Sequence, residues 1–323
     1  MKIIHIILSK DFAGSERYVT DLINFQCNNH NCYIIKNIKN KNMQFNSNIN
    51  SKVKVFNIIN FFKGFQINKI IDQIKPDIVH THLGESSRLV KKNKNFKLIA
   101  TILMSYKRKY YKHHDGIIVL NRSQEKEVSN NFKGKVKKLF LWTKLEKKKS
   151  RKHNIRKKLQ IPDSSYVFGS LGRYHPQKGF DILIEAFKKA NLSDCYLILA
   201  GRHSSNYLKY SNKFIKILDH QDELDEFFNT LNCFVMPSRW EGFGLVLIEA
   251  MQFNLPIISS ITEGNEEWIF NFPVSTFDIN DSESLVKLLK IKHKSNETQT
   301  SYNLNFFNYE KNCREVEKFY LSI

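Results

Sequence analysis

Two glutamates, Glu241 and Glu249, lie in the stretch "CFVMPSRWEGFGLVLIEAMQFNLPII", with only glycine and apolar residues between them. "CFVM" suits a short buried strand that Pro237 and Ser238 terminate. A helix is expected from about Gly244, with Leu245, Leu247, Ile248 and Met251 on its apolar side and Asn254 and Pro256 as its stop. "PIISS" reads as the next buried strand. In such a strand, loop, helix, strand unit, ligands meet the carboxyl end of the strand and the amino end of the helix. Gly242 and Gly244 flank Phe243 and let the backbone approach a ligand, and the N–H groups of the first helical turn suit a phosphate. A carboxylate in that apolar run belongs at a cleft, accepting hydrogen bonds from hydroxyls. The plain alternative is a solvated loop residue at Glu241 and an exposed helix residue at Glu249.

A second stretch, "FGSLGRYHPQKGFDILIEAF", repeats the order of strand, glycine loop and helix start. Arg173 and Lys178 flank its loop, so both could point at one anion near Gly172 and Gly179, or both could simply be solvated. Combined, the loops make a coherent site for a nucleoside diphosphate sugar. The cations would neutralise the diphosphate and the carboxylates would take sugar and ribose hydroxyls.

These loops need a scaffold, and the chain supplies one twice. "KIIHIIL", "NCYIIKNI", "KVKVFNI", "DIVHTHL", "FKLIATIL" and "GIIVL" read as strands, with helices from about Arg17 to Asn28 and around "GFQINKIIDQI". After a lysine-rich stretch at 133 to 160 the pattern restarts with "YVFGSLG", "CYLILAG" and "KFIKIL", interleaved with helices at "FDILIEAFKKA" and "DELDEFFNTL". Alternating strands and helices imply an α/β protein with two doubly wound parallel sheets, two Rossmann-like domains facing across a cleft. The expected division is residues 1–145 for an acceptor-binding domain and 146–302 for a nucleotide-sugar domain. Residues 303–323 should form a terminal helix that packs back on the first domain.

With 323 residues there is room for two such cores. The five cysteines, Cys27, Cys32, Cys195, Cys233 and Cys313, are scattered without metal-ligand spacing and suit reduced thiols in the cytoplasm. No run approaches the ~18 apolar residues of a membrane span. Charge is uneven: residues 1–158 hold 35 Lys and Arg against 10 Asp and Glu, net +25, whereas the remainder holds 16 against 21, net −5. That asymmetry suggests an anionic membrane surface or other polyanion as partner for the first half, unless composition bias accounts for it. A nucleic-acid role finds no recognisable RNA or DNA module.

"GRYHPQKGFDILIEAF" and "PSRWEGFGLVLIEAMQFNLPIISS" resemble the two signature stretches of retaining glycosyltransferases of family 4, which have the GT-B fold; the second contains the family's Glu-x7-Glu pattern. "AGSER" resembles the glycine loop after the family's first strand, and "DIVHTH" its strand ending in histidine on the acceptor side. The resemblance implies that Arg173 and Lys178 bind the donor diphosphate near Gly172. Glu249 would hold the ribose and Glu241 the transferred sugar. Gly242, Phe243, Gly244 and Leu245 would line the phosphates, and Gly14 would approach the donor from the first domain. Glu267, in "ITEGNEEW", matches a glutamate of the family. Departures are Ala13 in place of a first glycine, "LWT" in place of a Pro-Asn-Gly turn, Arg202 in "LAGR", and Asn254.

The implied reaction is same-face attack by an acceptor hydroxyl as the diphosphate leaves, without a protein nucleophile. Arg173 and Lys178 would stabilise the charge that develops on the phosphate. Without an Asp-x-Asp motif, neither metal nor other cofactor is expected. His80 and His82 share one face of their strand, and His82, nearer its carboxyl end, is the candidate to orient a hydroxyl. "YKRKYYK", beside His113 and His114, suits a headgroup interface or a solvated helix face. The expected protein is thus a glycosyltransferase acting on a glycan or lipid-linked acceptor, peripheral on the inner face of the membrane. The alternatives are a soluble acceptor, an epimerase, or a non-catalytic binding protein.

Overall fold

The structure is a computed structural model that describes residues 1–9, 13–38, 45, 47–144, 154–221 and 224–323. It contains two compact units, one of residues 1–144 with 306–323 and one of residues 145–305.

In the first unit, β1 (Lys2–Ile7), β2 (Asn31–Asn37), β3 (Lys54–Ile58), β4 (Ile78–His82), β5 (Lys97–Thr101), β6 (Gly116–Val119) and β7 (Lys135–Lys138) form one sheet in the order β3-β2-β1-β4-β5-β6-β7. In the second, β8 (Tyr166–Leu171), β9 (Cys195–Ala200), β10 (Ile215–Leu218), β11 (Cys233–Met236), β12 (Ile257–Ser260) and β13 (Ser275–Phe277) are ordered β10-β9-β8-β11-β12-β13. All the strand pairings are parallel. In each sheet the order reverses direction once, between β1 and β4 and between β8 and β11, and the carboxyl ends of those strands are where an open α/β sheet binds ligands.

Parallel strands covered on both faces read as near-continuous apolar runs. On one face of the first sheet, Ile4, Ile6, Ile35, Val79 and Leu98 pack on Ile67 and Ile71 of the helix Lys63–Ile74. His5 and His80 are paired across β1 and β4. With His82, these histidines alternate with Ile4, Ile6 and Val79 and so point to the opposite face. The second core joins Phe168, Leu197, Leu199 and Val235 to Leu183, Phe187, Leu285 and Leu289 from the helices Phe180–Ala190 and Ser282–Ser295.

Three local details differ from the sequence expectation. The first helix is Gly14–Gln26, starting before Arg17, because Glu16 accepts the Ala13 N–H at 2.8 Å and so holds the first turn. The lysine-rich stretch begins inside the first sheet: Lys135–Lys138 is an edge strand on β6, with Lys135 and Lys137 outward, an arrangement that discourages further strand pairing. "LWT" is core as well. Trp142 is buried, 4.7 Å from the Tyr18 ring. Lys10, Asp11 and Phe12 of the first glycine loop, residues 145–153 of the lysine-rich stretch, and residues 222 and 223 of "HQDELDE" lie outside the described residues.

The terminal helix Tyr309–Ser322 belongs to the first unit. It buries Cys313, Val316, Phe319 and Tyr320, and Tyr309 Oη donates to the Asp21 carbonyl at 2.9 Å. All five cysteines are free and buried, and burial pushes the Cys32 and Cys195 thiols up to about 12.

Candidate active site

The loop after β8 is shaped by close backbone contact. A side chain at Gly201 would run into the Gly172 carbonyl, and a Cβ on Gly172 itself would lie 3.2 Å from the Lys178 stem. The chain then turns through a short 3₁₀ segment, Pro176–Lys178, capped by His175 Nδ1, which accepts the Gln177 N–H at 3.2 Å. Gly179 follows in the left-handed region at φ 64°, where any Cβ would strike the Pro237 carbonyl. This turn directs Lys178 at the other loop. Lys178 Nζ lies 2.6 Å from Glu241 Oε1, with the two side chains 17% and 10% exposed. Ser238 Oγ donates to the same carboxylate oxygen at 2.6 Å. Glu241 is therefore a buried, charge-paired group and not a solvated loop residue.

Arg239 joins the two loops. Its guanidinium forks onto Asp181 at 2.9 and 2.7 Å and also donates to the Pro176 carbonyl. Its backbone N–H donates to the Gln177 carbonyl at 2.8 Å, while Gln177 Nε2 donates to the Trp240 carbonyl at 3.0 Å. The hydrogen-bonded guanidinium holds the Asp181 carboxyl below the usual carboxylate range. Arg239, Asp181, Ser238 and Gln177 were not among the site residues expected from the sequence. Arg239 and Ser238 lay within the quoted motif, but their function depends on a partner loop some 60 residues away, which spacing alone does not show.

Beyond Glu241 the chain packs tightly. A Cβ on Gly264 would run into the Glu241 carbonyl. Phe243 is buried against Trp268, 5.7 Å between rings, and Trp268 Nε1 donates to the Gly264 carbonyl at 3.1 Å. Gly244 adopts φ 87° and opens the helix Leu245–Gln252. Glu249 sits inside that helix, 1% exposed, so the exposed-helix alternative is excluded. The structure thus brings Gly172, Lys178 and Glu241 together, with Gly242, Phe243, Gly244 and Leu245 following on the same loop. Arg173, by contrast, is exposed next to Gly172. Glu267 is half-buried in the short helix Glu266–Ile269.

His82 and Gly14 stand in the first unit. Gly14 is the first residue of its helix. His82 is fully buried in a chain of hydrogen bonds: His5 Nε2 meets Gln26 Oε1 at 2.8 Å, and His5 Nδ1 meets His82 Nε2 at 3.0 Å. The carbonyl oxygen of Gln26 only accepts, so His5 carries its proton on Nε2 and accepts on Nδ1. His82 must then donate from Nε2, which leaves its Nδ1 a bare lone pair, and that atom is buried without a hydrogen-bond partner among the described residues. His80 is held separately, by Tyr320 Oη at 2.6 Å and Thr101 Oγ1 at 2.8 Å. Burial holds all three imidazoles neutral, His5 down to about 4 and His80 and His82 well below their ordinary range.

Their ring nitrogens lie within 4.8 Å of one another, near enough to converge on a metal ion. Both nitrogens of His5 and of His80 are, however, already engaged in hydrogen bonds, and the group contains no carboxylate to offset a dication.

A family model described as glycosyl transferases group 1 matches residues 151–305, and one described as glycosyl transferase 4-like matches residues 11–129. The O-antigen biosynthesis glycosyltransferase WclY of Escherichia coli is 25% identical over 91% of this chain and 90% of its own length. The Escherichia coli UDP-Gal:alpha-D-GlcNAc-diphosphoundecaprenol alpha-1,3-galactosyltransferase is 27% identical over 51% of this chain and 48% of its own. Among solved structures, Anabaena Alr3699/HepE in complex with UDP and glucose superposes with a TM-score of 0.80 at 16% identity, covering 100% of both chains. WaaG, a glycosyltransferase involved in lipopolysaccharide biosynthesis, has a TM-score of 0.70 at 12% identity, over 98% of this chain and 95% of its own. With both family models matching, two doubly wound parallel sheets and glycosyltransferase neighbours along its whole length, the chain belongs to the GT-B glycosyltransferases of group 1.

Proposed function

We propose that the chain is a retaining, metal-independent glycosyltransferase that moves a sugar from a nucleoside diphosphate to a hydroxyl of a glycan or lipid-linked acceptor. It would act at the cytoplasmic membrane face in the synthesis of a bacterial surface polysaccharide. The observation that carries this reading is the Lys178–Glu241 pair, held between two glycine-bearing loops at the carboxyl ends of β8 and β11. Before the donor binds, the lysine and glutamate neutralise each other. When it binds, the ammonium turns to the diphosphate and the carboxylate to a sugar hydroxyl, so the donor replaces one set of polar partners with another.

Arg173 and Lys178 then oppose the charge that builds up on the leaving diphosphate, and Glu249 takes the ribose. The first-turn N–H groups beginning at Leu245, with Gly242, Phe243, Gly244 and Gly172, line the donor. The acceptor hydroxyl attacks from the face the diphosphate leaves, with no covalent intermediate on the protein. His82 would orient a hydroxyl through the lone pair on Nδ1, an atom that is buried in this structure and that acceptor binding must uncover.

Support for the acceptor class comes from the relatives, whose names place them in O-antigen and lipopolysaccharide synthesis. UDP-hexoses are the first donors to try, because HepE has been solved with UDP-glucose and one relative uses UDP-Gal. The test is transfer from anomerically pure donors to lipid-linked acceptors with chelator present, reading the product anomer by NMR. Retention with undiminished rate in chelator supports the proposal; inversion, or activity that returns only with added metal, refutes the corresponding part.

A further inference from the structure

The first unit carries an apolar patch that the donor site does not use. Phe61, Phe62 and Phe65 are 75%, 81% and 70% exposed, and Ile59 beside them is 49% exposed. They lie after β3 and in the first turn of the helix Lys63–Ile74, whose Ile67 and Ile71 do reach the core. Phe62 sits in the left-handed region at φ 49°, a conformation a bulky residue seldom adopts. Single exposed apolar residues need no explanation, but three phenylalanines in five positions do.

Cations lie on the segments next to the patch. Because every strand of the sheet is parallel, the loops after β3, β4 and β5 emerge at one edge. Lys63 at the start of the phenylalanine-bearing helix pairs with Glu85 of the helix Leu83–Leu89 at 2.8 Å. A Cβ on the neighbouring Gly84 would meet the Tyr110 ring at 2.8 Å, and the ammoniums of Lys107 and Lys109 lie 6.0 and 5.4 Å from that ring's centroid. Arg88, Lys107, Arg108, Lys109 and Lys112 are exposed there, and the segment from Met104 to His114 contains no acidic residue. Glu85, on the neighbouring helix, is already paired with Lys63.

We infer that this edge docks on an anionic lipid bilayer, with Phe61, Phe62 and Phe65 set among the acyl chains just below the headgroups and the cations of residues 88 to 112 on the lipid phosphates. Exposed rings beside exposed cations are the pattern of an interfacial surface. A second copy of the chain would bring like charge against like charge, and an acidic protein would leave the three rings without a use. The inference rests on the proposed membrane-face reading and names its surface.

The experiment uses the full chain and sedimentation with two kinds of vesicle, phosphatidylcholine alone and phosphatidylcholine with about one third phosphatidylglycerol. The natural protein should partition to the anionic vesicles at least about tenfold better than to the neutral ones. Phe61→Ser, Phe62→Ser and Phe65→Ser combined should reduce that partition by about tenfold or more without lowering the melting temperature, since the rings are exposed. Lys107→Gln with Lys109→Gln should remove the preference for anionic lipid. Emission from a Phe62→Trp variant should shift to the blue on anionic vesicles. The inference is overturned if the natural protein stays in the supernatant, if the triple variant sediments equally well, or if the triple variant instead dissociates a dimer. Nucleotide-sugar binding is measured on the same samples. Lost vesicle binding with retained donor binding removes this surface and leaves the transferase, and the reverse result leaves the surface and removes the transferase.

Discussion

Lys178 and Glu241 are each other's counter-ion, so removing one leaves the other half-solvated and unpaired. Lys178→Ala should cost about 1–3 kcal/mol of stability, tempered by the remaining Ser238 bond and partial exposure, and should abolish donor binding. In a double-mutant cycle with Glu241→Gln, denaturant melts should show the two costs failing to add. At the histidines the chain from Gln26 to His82 fixes a tautomer. Gln26→Leu should free His5 to reverse its protonation, and two-dimensional 15N spectra of the imidazoles should show the proton on His82 moving between its nitrogens. The polar members of both sites were legible as candidates because Glu241, Glu249, Arg173 and Lys178 interrupt apolar or glycine-rich runs where a charge has no structural use, and because His82 stands at the carboxyl end of its strand. Their partners were not, since Ser238, Arg239 and Gln26 are ordinary polar residues until the fold sets an opposite group against them.

At the scale of elements, the two loops after β8 and β11 are fixed by glycines and by one arginine. Gly179→Ala would force a Cβ into the Pro237 carbonyl in a left-handed conformation, and should destabilise the protein by about 2 kcal/mol or more in urea melts. Tyr320→Phe, on the terminal helix, removes the phenol that meets His80 and should cost about 1–2 kcal/mol. Elements were legible where apolar periodicity was strong: the helices Phe180–Ala190 and Tyr309–Ser322 were both expected from the sequence. They were misjudged where composition competed with pairing. Lysines dominate Lys135–Lys138, yet β6 supplies the hydrogen bonds that make it an edge strand. The phenylalanine patch escaped notice because nothing in "NFFKGF" distinguishes a ring turned outward from one in the core.

For the molecule as a whole, pH acts through imidazoles buried in neutral form. Burial lowers His5 and His114 to about 4, and His80 and His82 further, whereas in the unfolded chain they titrate near about 6.5. Between those values the unfolded state binds more protons, so stability is fully present above about 6.5 and is lost as pH falls toward about 4. Each group contributes a slope of about 1.4 kcal/mol per pH unit in that window, so melting temperature should fall steeply between pH 6.5 and 5, and less steeply in His114→Gln. The two-sheet architecture followed from the repeated alternation of strands and helices. The donor base, the sugar and the acceptor did not, because specificity comes from the detailed shape of loops that apolar periodicity leaves undetermined.

In the proposed function, Lys178 and the glycine loops around Glu241 bind a nucleoside diphosphate sugar. Isothermal titration of the full chain with a panel of nucleotide sugars, alongside Lys178→Ala and with thermal melts to confirm folding, tests it most directly. One donor should bind the natural protein in a one-to-one complex, with no heat detected for the folded variant. If no nucleotide sugar binds, or if a donor binds the variant as tightly as the natural protein, the site is not the one described.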